Sequence, residues 1–363
     1  MIEIKLLDKK GLAEYLYSDA YIQSPVIPIT RHRALSQIRN PQAEAEDVLL
    51  LLAYEGSTLV GYLGVLPDRM NGTLKCGWMS CLWIAPEHRG KQIAQQLLQH
   101  CFEAWGQKLL ATEFTAPAKK LYDKTGLFRD LPVKRGLRLY LRSDLHTLLT
   151  PRSPWFEKIG FFLKAFDGVA NAILDARFLI WKPGLGDLKL EYVREVDEEA
   201  ATFIEHTRSA KGFQKGAAEL NWVFQNPWVL SAPEKDDFGK RYHFSSTDQS
   251  FDFYGIKIKN QKNQLLAFLV FSKRNRFLKL PFCYVEREID AVLQVVAFHL
   301  HRWRVNVFTV FHPALVERLR QRKSLFFLKR EVRRHYLISK VFELENCGEN
   351  FEIQDGDGDC GFT

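Results

Sequence analysis

The sequence lacks the features that mark secreted, disulfide-stabilised or metal-binding proteins. Its six cysteines show no C-x-x-C spacing, so we predict neither a disulfide framework nor a zinc site. His299 and His301 stand two residues apart in a helical pattern and point to different sides of the helix, so we predict no bound metal. Residues 1–10 lack the apolar core of a secretory signal, which favours a cytoplasmic protein.

No uninterrupted apolar run is long enough to span a bilayer. An apolar segment at residues 153–183 contains Asp167 and Asp175 among its large side chains. Its apolar residues recur at spacings of three and four, which predicts a helix with one apolar face. Two interpretations remain open. The favoured one is a connecting helix packed on one or both domains, because acidic residues interrupt the polar face; the other is a helix lying on a membrane surface.

The composition is that of a globular protein with enough apolar residues for two cores. The chain has 363 residues, of which 46% are hydrophobic, and it includes 27 phenylalanines and eight tryptophans. This length exceeds what one core comfortably accommodates, so two domains are expected. Charged residues make up 26% of the chain, and nothing indicates broad disorder.

Positive charge is in excess, with a formal net charge of +8. Part of it is concentrated in the arginines and lysines of residues 318–334. Such a cluster is typical of a solvated face, and it also fits contact with a phosphate-bearing substrate or an anionic surface. No RNA-binding motif with interleaved aromatics and no DNA-reading helix accompanies it, so nucleic-acid binding is disfavoured.

An apolar strand leads into an amphipathic helix in the first third of the chain. Residues 78–85 are nearly continuous apolar, as in a strand covered on both faces, and Pro86 ends the strand because proline donates no ladder hydrogen bond. From Ile93 onward the apolar residues fall at helical spacing. The turn at residues 87–91 therefore leads to a helix N-terminus.

This turn predicts a binding site for an anion. The first backbone N–H groups of a helix are unpaired, and the positive end of the helix dipole adds to their attraction for negative charge. Arg89 and Lys91 bring further positive charge, and Gly90 lets the backbone approach a ligand closely. A pyrophosphate fits such a site, although the same strand, turn and helix is also ordinary α/β architecture.

Two segments carry a family resemblance. Residues 82–94 read Leu-Trp-Ile-Ala-Pro-Glu-His-Arg-Gly-Lys-Gln-Ile-Ala, and residues 118–128 read Ala-Lys-Lys-Leu-Tyr-Asp-Lys-Thr-Gly-Leu-Phe. Together they resemble the acyl-CoA-binding half of a GNAT-type acetyltransferase. The resemblance is specific over roughly residues 46–142. It implies an α/β (α+β) fold with a mixed, mostly antiparallel twisted sheet flanked by helices.

The resemblance also implies a co-substrate and a set of residues that bind it. The co-substrate is acetyl-CoA or another acyl-CoA, whose pantetheine arm pairs with the strand and whose pyrophosphate lies in the turn. Arg89 and Ala94 match the ends of the family's phosphate-loop pattern, whereas Gln92 stands where an inner glycine is usual, and Thr115 stands where asparagine is frequent. The implied cofactor-binding residues are Leu82, Trp83, Ile84, His88, Arg89, Gly90, Lys91, Gln92, Ile93 and Ala94.

One of the two proton-transfer roles has a single candidate residue, and the other has several. By resemblance, Tyr122 protonates the departing CoA thiolate, a role that a neutral phenol is able to fill. The proton acceptor for the incoming amine is left open between Glu113, Ser80 and an ordered water, because residues 76–85 contain no carboxylate. Cys81, in an apolar strand, is expected to be an inert buried thiol.

An internal repeat extends the plan to the second half of the chain. A strand hairpin is predicted at residues 48–66, and a second one at residues 253–271 with its turn at residues 260–263. A strand at 278–285, a helix at 289–303 and a strand at 305–311 follow the second hairpin, and residues 326–340 correspond to residues 128–142. The sequence therefore predicts two GNAT-like acyl-CoA N-acyltransferase lobes.

The second lobe departs from the first at the positions that would bind CoA. Its strand-to-helix turn has no glycine and carries Glu286, Glu288 and Asp290, whose carboxylates repel a pyrophosphate. Arg318 falls where Tyr122 lies in the first lobe. We therefore predict that the second lobe is degenerate and supports the first or shapes its acceptor site.

The predicted organisation is an N-terminal GNAT domain at residues 1–146, a helical linker at 147–186 and a degenerate GNAT-like domain at 187–363. Asp355, Asp357 and Asp359 alternate with glycine near the C-terminus; without a downstream glutamate or helix they predict a solvated turn and not a calcium loop.

The predicted function is transfer of an acyl group from acyl-CoA to the primary amine of a small molecule or peptide, by direct attack in a ternary complex. The alternatives are a non-catalytic CoA-sensing or scaffolding protein with the GNAT fold, and a transferase acting on an aminoacyl or lipid-linked acceptor at a membrane surface.

Overall fold

The computed structural model describes residues 1–180, 183–209, 211–213, 215–231, 242–322, 326–342 and 351–362. Its strands are β1 Ile2–Leu7, β2 Leu50–Glu55, β3 Thr58–Met70, β4 Leu74–Ile84, β5 Leu109–Thr112, β6 Phe128–Asp130, β7 Lys134–Tyr140, β8 Lys189–Val193, β9 Leu230–Ser231, β10 Thr247–Asp248, β11 Phe251–Lys259, β12 Leu265–Arg274, β13 Phe277–Val285, β14 Val307–Val310, β15 Leu328–Arg334 and β16 Tyr336–Ser339. Its helices are α1 Lys9–Tyr15, α2 Asp19–Ile22, α3 Arg31–Ile38, α4 Ile93–Ala104, α5 Ala116–Thr125, α6 Leu145–Leu149, α7 Pro154–Lys158, α8 Gly160–Ile180, α9 Glu198–Thr207, α10 Ala217–Gln225, α11 Ile289–Arg302 and α12 Pro313–Gln321.

The first sheet has seven strands in the order β1-β2-β3-β4-β5-β16-β6. Its strands run antiparallel except for β4 and β5, which are parallel. The predicted hairpin at residues 48–66 is confirmed as β2 and β3. Helix α4 covers this sheet and buries Ile93, Leu97, Leu98, Cys101 and Phe102, as its 3.6-residue apolar periodicity predicts.

The second sheet also has seven strands, in the order β15-β7-β14-β13-β12-β11-β8. The predicted hairpin at residues 253–271 is confirmed as β11 and β12, and β13 runs parallel to β14. The two sheets exchange a strand, because β7 lies between β15 and β14 while β16 lies between β5 and β6. The predicted fold class, two mixed and mostly antiparallel sheets flanked by helices, is confirmed.

The chain forms two compact units that are discontinuous in sequence. The first unit comprises residues 1–134, 194–253 and 334–363, and the second comprises residues 135–193 and 254–333. The boundaries of these units differ from the predicted domain boundaries at residues 146 and 187. The predicted boundaries follow the repeated order of strands and helices along the chain, and they stay a prediction. The strand exchange explains the difference, because it assigns β7 and β16 to the sheet of the opposite half.

The linker segment does not pack its apolar face as the favoured interpretation expects. It forms α7 and α8, but the large apolar side chains of α8 are 57–77% exposed; they are Phe161, Phe162, Phe166, Val169 and Ile173. Trp155 in α7 is also exposed, and Trp181 lies outside the described residues. The residues of α8 that are buried or partly buried are Gly160, Leu163, Asp167, Ala170, Asn171, Leu174 and Asp175. No helix of the described residues is long and apolar enough to cross a membrane.

The aspartate-rich C-terminal segment is buried, so the predicted solvated turn is wrong. Asp355 is 4% exposed and Asp357 is 0% exposed. Asp355 pairs with the guanidinium of Arg334, and Lys134 donates to the backbone carbonyl of Ile353. We call residues 351–362 the C-terminal strap. Basic residues from other parts of the first unit hold it in place, a partnership that no local sequence pattern reveals.

Candidate active site

The divergence of β4 and β5 opens a cleft in the first unit. The two strands pair only from Gly77 to Met79, opposite residues 109–111, and β4 then continues to Ile84 without β5 beside it. A cavity of about 270 Å³ lies where they part. It is lined by Arg33, Met79, Ser80, Cys81, Leu82, Thr112, Glu113, Phe114, Thr115, Ala118, Tyr122, Trp228, Phe244, Ser245 and Asp359.

Two residues beside this cavity have left-handed backbone conformations. Cys81 has φ +56° at a bulge in β4, and Glu113 has φ +51° just after β5. Residues other than glycine adopt such angles at an energetic cost and do so disproportionately at functional sites. The bulge also turns the end of β4 away from regular pairing. The strained positions therefore coincide with the mouth of the cleft.

The predicted phosphate loop follows β4 directly. A 3₁₀ turn at Pro86–His88 leads to Gly90, with φ +88°, and to Gln92, which precedes α4 with φ +61°. The Gln92 side chain makes no capping hydrogen bond and is exposed. The N–H groups of Ile93 and Ala94 belong to the first turn of α4 and have no partner within the helix.

Glu55 holds this loop from the preceding hairpin. Its carboxylate lies 2.9 Å from His88 Nε2 and 3.6 Å from Lys91 Nζ. The contact with His88, followed by the charge of Lys91, keeps the pKa of Glu55 below its ordinary value. Arg89 is exposed at the tip of the loop. The loop therefore carries backbone N–H groups at the start of α4 and the exposed side chain of Arg89, and its role as an anion site stays a prediction.

Tyr122 lies on α5 with its ring between Phe114 and Phe128, at centroid distances of 6.1 and 5.4 Å. The side chain is buried and lines the cavity. Burial raises the pKa of the Tyr122 phenol, so the hydroxyl stays protonated through the physiological range. Thr115 caps the N-terminus of α5 by accepting from the Ala118 N–H at 3.4 Å.

The two predicted base candidates also line the cavity, but other side chains engage both. Ser80 Oγ accepts from Arg33 Nη2 at 3.1 Å. Glu113 Oε1 accepts from Arg334 Nε at 2.8 Å. The Glu113 carboxylate is therefore held in an ion pair, and the Ser80 hydroxyl is already engaged by a guanidinium.

Sequence reasoning missed Arg33, a buried cation at the back of the cavity. It is carried by α3, donates to Cys81 Sγ at 2.8 Å and to the Tyr242 hydroxyl at 3.0 Å, and lies 3.8 Å from the ring centroid of Trp228. Burial raises the pKa of the Cys81 thiol, although Arg33 acts in the opposite direction. The environment of Cys81 is therefore charged, and the thiol nevertheless stays protonated at neutral pH.

Sequence reasoning also missed Asp359, which the C-terminal strap brings to the cavity. Gly358 has φ +69°, and a Cβ at this position would lie 2.9 Å from the Trp78 ring, so the turn requires glycine. Burial raises the pKa of the Asp359 carboxyl to about 6, against the lowering effect of Arg33. The alternation of aspartate and glycine in residues 355–359 was the available sequence pattern, but it gives no spatial partner.

A family model described as an acetyltransferase (GNAT) domain matches residues 46–126. This range contains the diverging strands, the phosphate loop and Tyr122. Residues 46–126 are a GNAT acetyltransferase domain. No curated protein sequence matches the chain with significance.

Solved structures match the fold of nearly the whole chain at low identity. A GCN5-related N-acetyltransferase from Kribbella flavida matches with a TM-score of 0.51 and 10% identity, over 93% of this chain and 70% of that one. Saccharomyces cerevisiae N-myristoyltransferase with bound myristoyl-CoA matches with a TM-score of 0.51 and 11% identity, over 93% and 82%. A conserved protein of unknown function from Enterococcus faecalis V583 matches with a TM-score of 0.53 and 9% identity, over 96% and 75%. These likenesses establish the fold beyond the GNAT domain.

The second unit differs from the GNAT domain in the corresponding turn. Arg318 of α12 lies 3.3 Å from Asp290 in the first turn of α11. A carboxylate there places negative charge at the N-terminus of the helix. At the corresponding place the GNAT domain presents the backbone N–H groups of Ile93 and Ala94.

His299 in the second unit is buried, and burial lowers its pKa to about 4. Among the described residues, no group of histidine, cysteine and carboxylate side chains is arranged to hold a metal ion.

Proposed function

We propose that the chain is an N-acyltransferase that transfers an acyl group from acyl-CoA to a primary amine in a ternary complex. The observation that carries this proposal is the cleft where β4 and β5 part, with Tyr122 on its wall and the phosphate loop at the end of β4. The gap offers unpaired strand edge to a pantetheine arm. The loop offers N–H groups and Arg89 to a pyrophosphate.

The residues present fit this co-substrate. A Cβ placed on Gly90 would have no heavy atom within 4 Å, so the loop is open on that side. Gln92 replaces the inner glycine of the family pattern, but its side chain is exposed and its backbone adopts the left-handed angle that glycine favours. Leu82, Trp83 and Ile84 are only partly buried at the free edge of β4.

The acyl thioester supplies the electrophilic carbonyl carbon, and the residues of the cleft move protons around it. The C–N bond forms as the amine attacks, the C–S bond breaks, and the thiolate sulfur takes or shares the Tyr122 hydroxyl proton. The attacking nitrogen gives up one proton to a base in the cavity. Glu113, Ser80 or an ordered water fills this role in the sequence-based proposal.

Acyl-CoA binding is the first property to measure. We expect calorimetric titration of acetyl-CoA to give saturable binding, and an Arg89→Ala, Lys91→Ala double variant to raise Kd roughly tenfold or more, because charge-assisted hydrogen bonds to phosphate are removed. The matched control is Lys5→Ala, Lys10→Ala, which removes the same charge from exposed positions of the first unit. Equal losses in both variants would indicate non-specific charge attraction.

The same titration distinguishes the alternatives. Binding that is lost in the loop variant, followed by CoA release when a panel of amino sugars, amino acids and polyamines is added, supports the enzyme. Binding without CoA release from any amine or from water supports a CoA-sensing protein. No binding of acetyl-CoA or of longer acyl-CoAs contradicts both and leaves a scaffolding role.

A further inference from the structure

We propose that Asp359 of the C-terminal strap accepts the proton from the acceptor amine. This inference rests on the function proposed above and names a residue for its open step. Asp359 lines the same cavity as Tyr122 and Ser80. It is a partly exposed carboxylate in a segment whose neighbouring aspartates, Asp355 and Asp357, are buried. The strap thus presents one of its three aspartates to the cleft.

The fold fixes the position of this carboxylate from both sides. Before it, Gly358 turns the chain against Trp78, and Asp357 Oδ2 accepts from the backbone N–H of Gln354 at 2.6 Å. After it, Cys360 is buried beside Thr112, with Sγ 3.9 Å from the threonine hydroxyl. Thr112 ends β5, so Asp359 is anchored to the strand that forms one side of the cleft. A catalytic group needs such a supported position.

The charges around Asp359 suit a base that operates near neutral pH. Arg33 on α3 and Arg334 before β16 favour its ionised form, whereas burial and Glu113 after β5 favour its protonated form. The other titratable neighbours are the Cys81 and Cys360 thiols and the Tyr122 hydroxyl. The net result is a carboxyl pKa of about 6. Asp359 is therefore mostly ionised at pH 7 and binds a proton more readily than an ordinary aspartate.

The competing candidates have weaker claims to the step. Glu113 accepts a hydrogen bond from Arg334 at 2.8 Å, and its side chain is 56% exposed. Ser80 is a neutral hydroxyl that accepts from Arg33, and it becomes a proton acceptor only if another group removes its own proton. Asp359 needs no such relay. Arg33 balances its charge without a direct ion pair among the described contacts.

The test is Asp359→Asn, with Asp359→Glu as a second variant and Asp19→Asn as the matched control at an exposed helix position. We expect Asp359→Asn to leave the acetyl-CoA Kd within about twofold and to lower kcat roughly 10²-fold. Wild-type kcat should rise with pH to a plateau above about pH 6, because the carboxyl ionises there. This rise of kcat with pH should vanish in Asp359→Asn. It should persist in Asp359→Glu, with a lower kcat at the plateau.

The outcomes separate this inference from the proposed function. A wild-type protein that binds acetyl-CoA but releases no CoA with any amine of the panel or with water overturns the function, and this inference with it. Wild-type turnover that Asp359→Asn retains, with the same pH profile, overturns the role of Asp359 and leaves the function standing. If Asp359→Asn does not fold, Asp359→Glu replaces it: a kcat that no longer rises with pH near pH 6 in this variant also overturns the role of Asp359.

A different observation carries a second inference, which concerns the outward face of α8 in the second unit. Phe161, Phe162, Phe166, Val169 and Ile173 are all more than half exposed. Soluble proteins rarely expose a contiguous apolar patch of this kind without a partner. We call these five residues the α8 apolar face.

The acidic residues of α8 do not interrupt this face, because they turn inward. Asp167 accepts from the Ser143 hydroxyl at 2.6 Å and from the backbone N–H groups of Leu145 and His146 at 2.9 and 2.8 Å. Asp175 pairs with Arg142. Among residues 143–176, the exposed charged side chains are Arg152, Glu157, Lys158 and Lys164, three basic and one acidic.

We infer that the α8 apolar face docks on an anionic lipid bilayer surface. Aromatic side chains at the interface bury their rings among lipid chains, while lysine and arginine beside them contact lipid phosphates. Charge complementarity favours this occupant over a second copy of the chain, which would present the same excess of basic side chains. The inward turn of Asp167 and Asp175 removes the reason for which the sequence disfavoured a membrane-surface helix.

Vesicle flotation tests this inference with the full chain. We expect binding to phosphatidylcholine vesicles containing phosphatidylglycerol, and loss of the bound fraction in Phe162→Ser, Phe166→Ser. The control is Tyr17→Ser, Val133→Ser, which changes two exposed apolar residues elsewhere. Lys158→Glu, Lys164→Glu should weaken flotation with the anionic vesicles. Absence of flotation overturns the inference, as does a dimer in light scattering that Phe162→Ser, Phe166→Ser dissociates, because a second copy then covers the face.

Discussion

Replacing Tyr122 with phenylalanine is expected to lower kcat for acyl transfer by roughly 10²- to 10³-fold while leaving the Kd of acyl-CoA nearly unchanged. The substitution removes one hydroxyl and keeps the ring that packs between Phe114 and Phe128. The ring contributes the packing energy, so the fold should persist. The hydroxyl contributes the proton that the departing thiolate needs, so turnover should fall.

The pKa of Tyr122 supports a role as donor and not as base. Burial raises it above the ordinary value of a phenol, so the group carries its proton at every pH at which the protein is active. A phenolate at this position would repel the departing thiolate. The kcat of the wild-type protein should therefore show no change below about pH 9 that arises from ionisation of Tyr122, because even an ordinary tyrosine ionises only above that pH.

Tyr17→Phe is the matched control, because it removes a hydroxyl from an exposed tyrosine of the same unit. CoA release and calorimetric binding should be measured on both variants. Unchanged kcat in Tyr122→Phe would contradict the role of the phenol and would favour protonation of the thiolate by water. A rise in Kd that accounts for the whole loss of activity would assign Tyr122 to binding.

The parts of the site that are local in sequence were accessible to prediction. The strand at residues 78–85, the turn after it and the amphipathic helix α4 occupy one continuous segment, and each has its own periodicity or turn residue. The hairpins at residues 48–66 and 253–271 were accessible for the same reason. The GNAT domain match at residues 46–126 falls on this local part of the chain.

The parts that depend on distant contacts were not accessible. Arg33 comes from a helix that precedes the first hairpin, and Asp359 comes from the C-terminal strap, so more than 300 positions separate two residues that line one cavity. The strand exchange of β7 and β16 is equally non-local. A short sequence pattern cannot specify which distant charge will neutralise a buried one.

The linker shows a different limit of periodicity. Spacings of three and four identify an apolar face on residues 153–183, but they do not say whether that face meets protein, lipid or water. Asp167 and Asp175 looked like interruptions of a polar face, whereas their hydrogen bonds to Ser143 and Arg142 turn them toward the protein. Side-chain direction, and not composition, decides the surface that α8 presents.

A second large effect is expected from Lys215→Met, which should lower the free energy of unfolding by about 3–5 kcal/mol. Lys215 Nζ lies 2.6 Å from Asp68 Oδ1, and the two side chains are 12% and 4% exposed. Asp68 also accepts from Trp78 Nε1 at 3.0 Å. Without the lysine, the aspartate is left as a buried charge with neutral donors, and removal of one partner of a buried pair is strongly destabilising.

The same change should loosen the C-terminal strap. Burial would by itself lower the pKa of Lys215, but Asp68 and then Asp357 of the strap raise it, so the ammonium serves acidic groups from two parts of the first unit. Asp357 is raised by burial to a pKa of about 8, against the lowering effect of Lys215. A carboxyl with this pKa is mostly protonated at pH 7, so loss of the lysine charge should loosen the strap chiefly above about pH 8, where Asp357 ionises.

Chemical denaturation of Lys215→Met, of Lys5→Met and of the double variant Lys215→Met, Asp68→Asn separates the causes. Lys5 pairs with Glu3 at an exposed site, so its loss should produce no measurable change in the free energy of unfolding.

The double variant should recover much of the stability, because it removes the buried charge together with its partner. If Lys215→Met proves as stable as the wild type, water reaches Asp68 and the strap does not depend on this pair. If stability falls but the double variant recovers neither stability nor acyl transfer, the lysine acts through the strap, and Asp359 loses its position together with it.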